Sequence, residues 1–327
     1  MIHTASGIYC PQGDFYIDPW KKVDFAVITH AHADHARPGM KHYHCHPLTA
    51  ALLKVRIHKG IRCSTALYGE SVYRNGVRVR FFPAGHIAGS SQVEVMYKDE
   101  VWVCSGDYKT VAEPSCEAFE PVKCDVFISE STFGLPIFVW REENEIREEL
   151  KRWYAENVEE GKHSCLFVYS LGKAQRIQYL LQETEIPVFV HPSISVLDAA
   201  LRGAGHFVPE SLGGPDKLKK FEKKAMYLAP SAAEKGRSFG KIGEYQTGTA
   251  SGWMQVRGIK TRSSVDKGFV LSDHADWPGL LSAIEATGAS KVFLTHGYSA
   301  ELCRYLREQG KDAYVWETDF GKESDTL

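Results

Sequence analysis

The sequence lacks the marks of several protein classes. No apolar run approaches the roughly 18 residues that a membrane-spanning helix needs, and MIHTASGIYCPQGDFYID carries no basic segment followed by a long apolar core. A soluble, cytoplasmic protein without a membrane partner is expected. The eight cysteines, at 10, 45, 63, 104, 116, 124, 165 and 303, include no C-x-x-C pair. Reduced, mostly buried thiols are expected rather than a disulfide framework. Repeats and low-complexity tracts are absent, and the formal net charge is only -2. A polyanion partner is not advertised by overall charge, so a basic surface for one must be local.

What is present is ordinary for a globular chain: 327 residues, 43% hydrophobic and 24% charged. That length supports one large core or one domain carrying another. Residues 1–135 alternate short runs rich in Val, Ile, Phe and Tyr with turn signals: FYID, FAVIT, KHYHC, RVRFFPA, SQVEVMY, EVWVCSG and DVFISES. This predicts a sheet-rich domain with functional loops at strand ends. The character changes at Trp140. REENEIREELKRWYAENVEEGK has apolar residues at helical spacing, SCLFVYS reads as a buried strand, LGKAQRIQYLLQE as an amphipathic helix and VFVHP as a further strand. Strand, helix and strand of these lengths predict a parallel α/β unit. GGPDKLKKFEKK is expected to be an exposed loop and helix, with Lys219, Lys220, Lys223 and Lys224 on a solvated face. The expected organisation is a first domain over 1–139, an insertion over 140–255, and resumption of the first domain over 256–327.

The densest chemistry lies in VITHAHADHARPG, where His30, His32, Asp34 and His35 fall within six residues, separated only by alanines. If His30 and His32 lie in a strand they point the same way, and a turn at Asp34 and His35 aims those two from a second direction. Imidazole and carboxylate together suit zinc, manganese or iron. The segment cannot close a metal site alone. Partners recur in one grammar, an apolar strand followed by a ligand beside Gly or Asp: His86 in FFPAGHIAGS, Asp107 in VWVCSGDYK, His274 in GFVLSDHAD and His296 in VFLTHG. A second histidine-rich stretch, KHYHCHPLTAALL, places His42, His44 and His46 on one strand face. It lacks a Cys or Asp at zinc-finger spacing, so a structural role is expected.

HAHADH followed by AGH, SGD and THG resembles the metallo-β-lactamase fold. With ISESTFG, LSDHAD and the insertion, the chain resembles the β-CASP nucleases, which include DNA cross-link repair nucleases, RNase J and the cleavage-and-polyadenylation endonuclease. CPQGDFYIDPW, ESTFGLPIFVW, YSLGKAQRI and SDHADWPGLL look most like bacterial DNA-ligase-associated exonucleases. The resemblance implies an α/β fold, an αββα sandwich of two sheets flanked by helices, with an inserted parallel α/β β-CASP domain. It implies two divalent metal ions, zinc above all: His30, His32 and His86 on one, Asp34, His35 and His296 on the other, and Asp107 bridging. Asp18 would hydrogen-bond a ligand histidine and fix its tautomer. It also implies a pairing of Glu130 with His274 as general acid, with Asp276 able to compete for the orienting task. The His42 to His46 region would be a strand leading to a helix capped near Thr49.

The insertion is expected to supply the substrate cleft. Ser170, Gly172 and Lys173 stand at a helix N-terminus suited to a phosphate, and TASGWMQVRGIKTR is similar to a segment that lines the active site in β-CASP proteins, a resemblance that implies Ser251, Gly252 and Arg257 as further phosphate contacts. The expected activity is that of a two-metal phosphodiesterase; the resemblance implies a 5′-to-3′ DNA exonuclease in DNA repair, with DNA as partner and functional association with a DNA ligase and helicase. An RNA-processing ribonuclease shares all these motifs and stands as the alternative. A small-molecule hydrolase needs neither the insertion nor the Glu130–His274 pair, and an inactive scaffold subunit usually loses metal ligands that are all present here.

Overall fold

A computed structural model describes residues 1–236, 239–256 and 265–318. They form a mixed α/β structure that divides into two compact units, residues 1–139 with 274 onward and residues 140–273.

The first unit opens with β1 (Ile2–Thr4), β2 (Gly7–Cys10), β3 (Phe15–Ile17), β4 (Ala26–Val27) and β5 (Tyr43–Cys45). Helix α1 (Pro47–Arg56) and β6 (Cys63–Thr65) follow. These strands make one sheet in chain order, antiparallel from β1 to β3 and parallel from β3 to β6. Next come β7 (Val72–Arg74), β8 (Val77–Pro83), β9 (Ser91–Tyr97), β10 (Glu100–Cys104) and β11 (Val126–Glu130). The alternation in VRVRFFP turns Val77, Val79 and Phe81 inward, while Arg78 and Arg80 reach across to Glu94 on β9 at 3.1 and 2.7 Å. Those inward residues meet Ile8, Phe15, Ile17 and Val27 of the first sheet in a shared core, so the two sheets face each other. Each such large side chain contributes roughly 1.5–3 kcal/mol on burial.

The second unit contains α2 (Glu143–Glu159), β12 (His163–Phe167), α3 (Lys173–Leu181), β13 (Val188–Val190), α4 (Pro192–Gly203), α5 (Pro215–Leu218), β14 (Met226–Ala229), β15 (Tyr245–Ala250) and β16 (Lys267–Phe269). Its five-stranded sheet is parallel throughout, in the order β13-β14-β12-β15-β16. Trp153, Leu166, Ile177 and Leu228 pack in one core that joins α2 and α3 to the sheet. The unit extends to Asp273 rather than ending at 255, because β16 pairs with β15, Gly248 to Ala250 lying opposite Lys267 to Phe269. Helix α5 is a single turn, so the lysines from 219 onward follow a helix instead of lining one.

The chain then returns to the first unit with α6 (Trp277–Thr287), β17 (Lys291–Thr295), α7 (Ser299–Glu308) and β18 (Asp312–Val315). β17 enters the second sheet beside β11, giving the order β18-β17-β11-β10-β9-β8-β7. β11 is buried along its length: Phe127 packs against α6 and α7, and Ile128 faces the other sheet. That two-sided burial explains the unbroken apolar run at this strand. All eight cysteines are thiols. Among the described residues, no helix is long and apolar enough to cross a membrane.

Candidate metal centre

Most of the candidate residues of the first unit follow the C-terminal end of a strand. Asp18 follows β3, Asp107 follows β10 by three residues, Glu130 ends β11, and His296 follows β17. His86 lies between β8 and β9, and the cluster from His30 to His35 lies in the loop after β4. The expected shared strand face of His30 and His32 is not formed. β4 stops at Val27, the Thr29 carbonyl turns to accept Ser91 N–H at 2.8 Å, and Ala36 N–H closes a turn on the His32 carbonyl at 2.9 Å. Asp18 and His296 adopt left-handed backbone, φ 42° and 61°. Such residues bend a strand end sharply and are held by their surroundings.

The loop and the strand ends bring three groups together. His30, His32, His86 and Asp107 form one, Asp34, His35 and His296 a second, and Asp107, Glu130 and His274 a third, each with one donor atom per residue within 4.8 Å of the others. The Asp107 carboxylate belongs to two environments. Oδ2 lies 3.5 Å from His30 Nε2 and 3.8 Å from His86 Nε2, and Oδ1 lies 3.3 Å from His35 Nε2. His30 is fully buried, and its Nε2 has no hydrogen-bond partner among the described residues. A buried imidazole nitrogen left so is costly, and a cation held by this nitrogen and carboxylate donor set satisfies it. The residues present therefore fit a divalent metal.

At His30, His296 and Asp107 the protonation states favour the same occupant. Burial, aided by the charge on His35, drives the pKa of His30 well below its usual value. Burial also pushes His296 down to about 4. For Asp107 burial acts upward, but His35 and then His274 and His30 outweigh it and hold the carboxyl well below the usual range. Burial pulls His35 down, while Asp107, Asp34 and the bond to Asp18 prevail and raise it well above its usual value. The arrangement thus offers neutral imidazoles at His30 and His296 and an ionised carboxylate between the groups, the forms that bind cations.

The imidazoles are held by their far nitrogens. Asp18, 2% exposed, accepts His35 Nδ1–H at 2.8 Å, Thr29 N–H at 2.8 Å and the Thr29 hydroxyl at 2.5 Å. Burial raises the Asp18 pKa against the pull of His35 and Thr29. With its proton given to Asp18, the Thr29 oxygen accepts from His30 Nδ1 at 3.0 Å. Thr295 repeats the device, donating to the Ser129 carbonyl at 3.3 Å and lying 2.9 Å from His296 Nδ1. Each hydroxyl fixes the Nδ1–H tautomer and leaves Nε2 for a ligand. These threonines were not singled out in the sequence, although the repeated Thr-His dipeptide in VITH and VFLTH was a usable signal. Gly106 explains the SGD glycine: at φ 56° an added Cβ would sit 2.6 Å from Thr29 Cβ. Arg56, near the end of α1, donates to the Ala31 carbonyl within the histidine loop.

Beside this centre Glu130, 1% exposed, grips His274 Nδ1 with both oxygens at 2.8 and 3.0 Å and accepts Tyr108 N–H at 2.7 Å. The His274 ring stands 4.7 Å from that of His86. Asp276 is placed otherwise: it caps α6 by accepting Gly279 N–H at 2.9 Å.

The expected phosphate contacts belong to the second unit. Ser170 Oγ lies 3.0 Å from Ser193 Oγ, and Ser251 caps a short 3-10 helix that includes Gly252. The Gly172 N–H is taken by Gln175 Oε1 at 2.7 Å. Lys173 is 6% exposed and ion-pairs with Asp273 at 3.1 Å, so its ammonium is committed inside the unit. Arg257 lies outside the described residues. In the His42 to His46 stretch, His42 and His44 both reach Ser64 Oγ, at 2.7 and 3.0 Å. His46, not Thr49, caps α1 by accepting Leu48 N–H.

Comparisons with known proteins support the resemblance to the metallo-β-lactamase/β-CASP superfamily. It is 27% identical over 96% of its length to a "Probable DNA ligase" of Opitutus terrae. It is 25% identical over 53% of its length to an "RNase J-like protein" of Methanocaldococcus jannaschii. Over 36% of its length it is 32% identical to "Cleavage and polyadenylation specificity factor subunit 3" of Dictyostelium discoideum. The chain spans 31%, 48% and 15% of these relatives. No protein-family model matches the chain. A crystal structure of a protein of unknown function from Enterococcus faecalis V583 shares the fold at TM-score 0.59 and 14% identity, covering 90% of this chain and 78% of that one.

Proposed function

We propose that this chain is a two-metal nuclease that hydrolyses phosphodiester bonds, and that its substrate is DNA degraded from the 5′ end. The observation that carries the reading is the Asp107 carboxylate, which faces His30 and His86 on one side and His35 on the other and is set beside the Glu130–His274 pair. His30, His32 and His86 would hold one cation and Asp34, His35 and His296 the other, with the Asp107 carboxylate offered to both. Zinc suits the imidazole-rich set, with manganese or iron as the other candidates. When bound, such a pair supplies Lewis acidity that activates water and neutralises phosphate charge.

The remaining chemistry belongs to side chains. The departing alkoxide needs a proton, and His274 is the donor. Glu130 accepts at Nδ1, which leaves Nε2–H of the imidazolium for the leaving oxygen. The fold is read as the αββα sandwich of the superfamily with an inserted β-CASP unit, in which Ser170 and Ser251 serve as substrate contacts. DNA is favoured because the likeness to the Opitutus protein covers 96% of the chain, whereas the RNase J-like likeness covers 53%. Work alongside a DNA ligase fits the same likeness, and a helicase partner is proposed on the sequence resemblance alone.

The test is a panel of 5′- and 3′-labelled single- and double-stranded DNA and RNA, incubated with zinc or manganese. Mononucleotide release from the 5′ end of DNA is the expected result. RNA cleavage at an equal or greater rate overturns the DNA assignment in favour of an RNA-processing enzyme. Cleavage of neither polymer overturns the nuclease reading.

A further inference from the structure

The backbone that leads into His274 is gripped by α3. β16 ends at Phe269, and Leu271, Ser272 and Asp273 follow as buried chain without regular structure. Lys173 and Arg176 stand three apart on α3, hence on one face of it. Lys173 Nζ donates to the Leu271 carbonyl at 3.2 Å and lies 3.1 Å from Asp273 Oδ2. Arg176 Nη1 donates to the Ser272 carbonyl and, at 3.0 Å, to Asp273 Oδ1. Its Nε donates to Glu143 Oε1 at 2.7 Å. Lys173, Arg176 and Asp273 are 6%, 4% and 5% exposed. Three consecutive residues therefore each have an oxygen tied to one rigid helix, and the next peptide bond is to His274.

A buried group of two cations and two carboxylates is weak evidence for stability, since desolvation offsets most of the attraction. Its geometry is the informative part. Arg176 presents a planar fork, which fixes direction as well as distance. Glu130 fixes the tautomer of His274 and one end of the ring, but the ring also swings with its own Cα. A proton donor must meet the leaving oxygen at hydrogen-bond distance, and small misplacements are costly in rate.

We propose that Lys173 and Arg176 are positioning residues that hold the main chain entering His274 and thereby aim its imidazole at the leaving group. This rests on His274 acting as general acid. The experiment compares two substrates of the metal-loaded full chain: DNA, whose leaving alkoxide needs a proton, and a nitrophenyl phosphodiester of thymidine, whose phenolate does not. General acids contribute about 10²- to 10⁴-fold, so Arg176→Met and Lys173→Met are expected to lose at least about tenfold more rate on DNA than on the aryl diester. Metal content should match the parent. Arg176→Lys keeps the charge without the fork, remains the folding-safe variant, and should show an intermediate selectivity. In a His274→Ala background, adding Arg176→Met should cost nothing further on DNA. Equal losses on both substrates, or additivity with His274→Ala, overturn the proposal. If His274→Ala itself shows no preference for the aryl diester, the general-acid reading has failed instead.

Discussion

Replacing Thr295 by Val tests how the site holds its metals. Valine keeps the shape and β-branching of the side chain and deletes one hydroxyl, which lies 2.9 Å from His296 Nδ1 and 3.3 Å from the Ser129 carbonyl. Both links are buried or nearly so, and each neutral hydrogen bond contributes about 1 kcal/mol. Loss of the partner also releases the His296 tautomer, so that Nε2 holds a proton part of the time and must shed it before binding. Loss of such outer partners costs metal affinity about 10- to 100-fold, or about 1.4 to 2.8 kcal/mol at 1.4 kcal/mol per decade. The assay is competition of the metal-free protein against a chromophoric chelator at pH 7, with circular dichroism to verify folding. Only the ion held by Asp34, His35 and His296 should weaken, leaving one tight and one loosened site. Thr29→Val should be worse, because that hydroxyl also donates to the Asp18 carboxylate that holds His35. A folded Thr295→Val protein that binds both ions as tightly as the parent would refute the tautomer argument.

Other expectations follow from the same geometry. Asp107→Ala should abolish cleavage and reduce metal content, since the carboxylate that lies against His30 and His86 on one side and His35 on the other is lost; elemental analysis of the purified variant reads this directly. His274→Ala should stop DNA cleavage while the full metal complement remains, and normal turnover by that variant ends its assignment as proton donor. Gly297→Ala should destabilise by about 2–4 kcal/mol, because at φ 54° the new Cβ would lie 2.4 Å from Thr132 Cα; an unchanged denaturant midpoint would contradict this.

The pH dependence of the metal-free protein has a defined sign. His296 is lowered from 6.5 to about 4, so between those values the unfolded chain binds more protons than the folded one. Stability is therefore present above pH 6.5 and is lost as pH falls towards 4, by about 3 kcal/mol from this residue. His30 acts in the same direction. His35 is raised, and its contribution is retained throughout this acid window and is lost only on the alkaline side. Urea titrations at pH 7, 5.5 and 4 on chelator-treated protein should show falling midpoints; a flat profile would count against neutral, buried His30 and His296.

The clustering of the candidate metal-ligating residues was legible because they combine rare spacing with a shared position at strand ends. Even a loop mistaken for a strand at His30 and His32 did not displace them, since either backbone leaves the imidazoles within one turn of each other. The Glu130–His274 contact was expected from resemblance alone, and it forms across 144 positions. Lys173 pairs with Asp273, 100 residues away, where spacing carries no signal. The Gly172 N–H is occupied by a side chain one turn along, which the sequence alone leaves equally unmarked. The end of the second unit was placed too early because β16 is only three residues long and declares itself through pairing with β15.

The pairing of β17 with β11 has a consequence for how the protein matures. Thr295 and Glu130 are register partners, and Ser131 Oγ donates to the Thr295 carbonyl at 2.9 Å across 164 positions. A growing chain that has made the HAHADH loop, His86 and Asp107 still lacks the strand that delivers His296. Closing so long a connection is slow relative to local structure. The group of Asp34, His35 and His296 is therefore not assembled until the second unit has been synthesised and β17 has docked, and a chain arrested before β17 lacks the third member of that group.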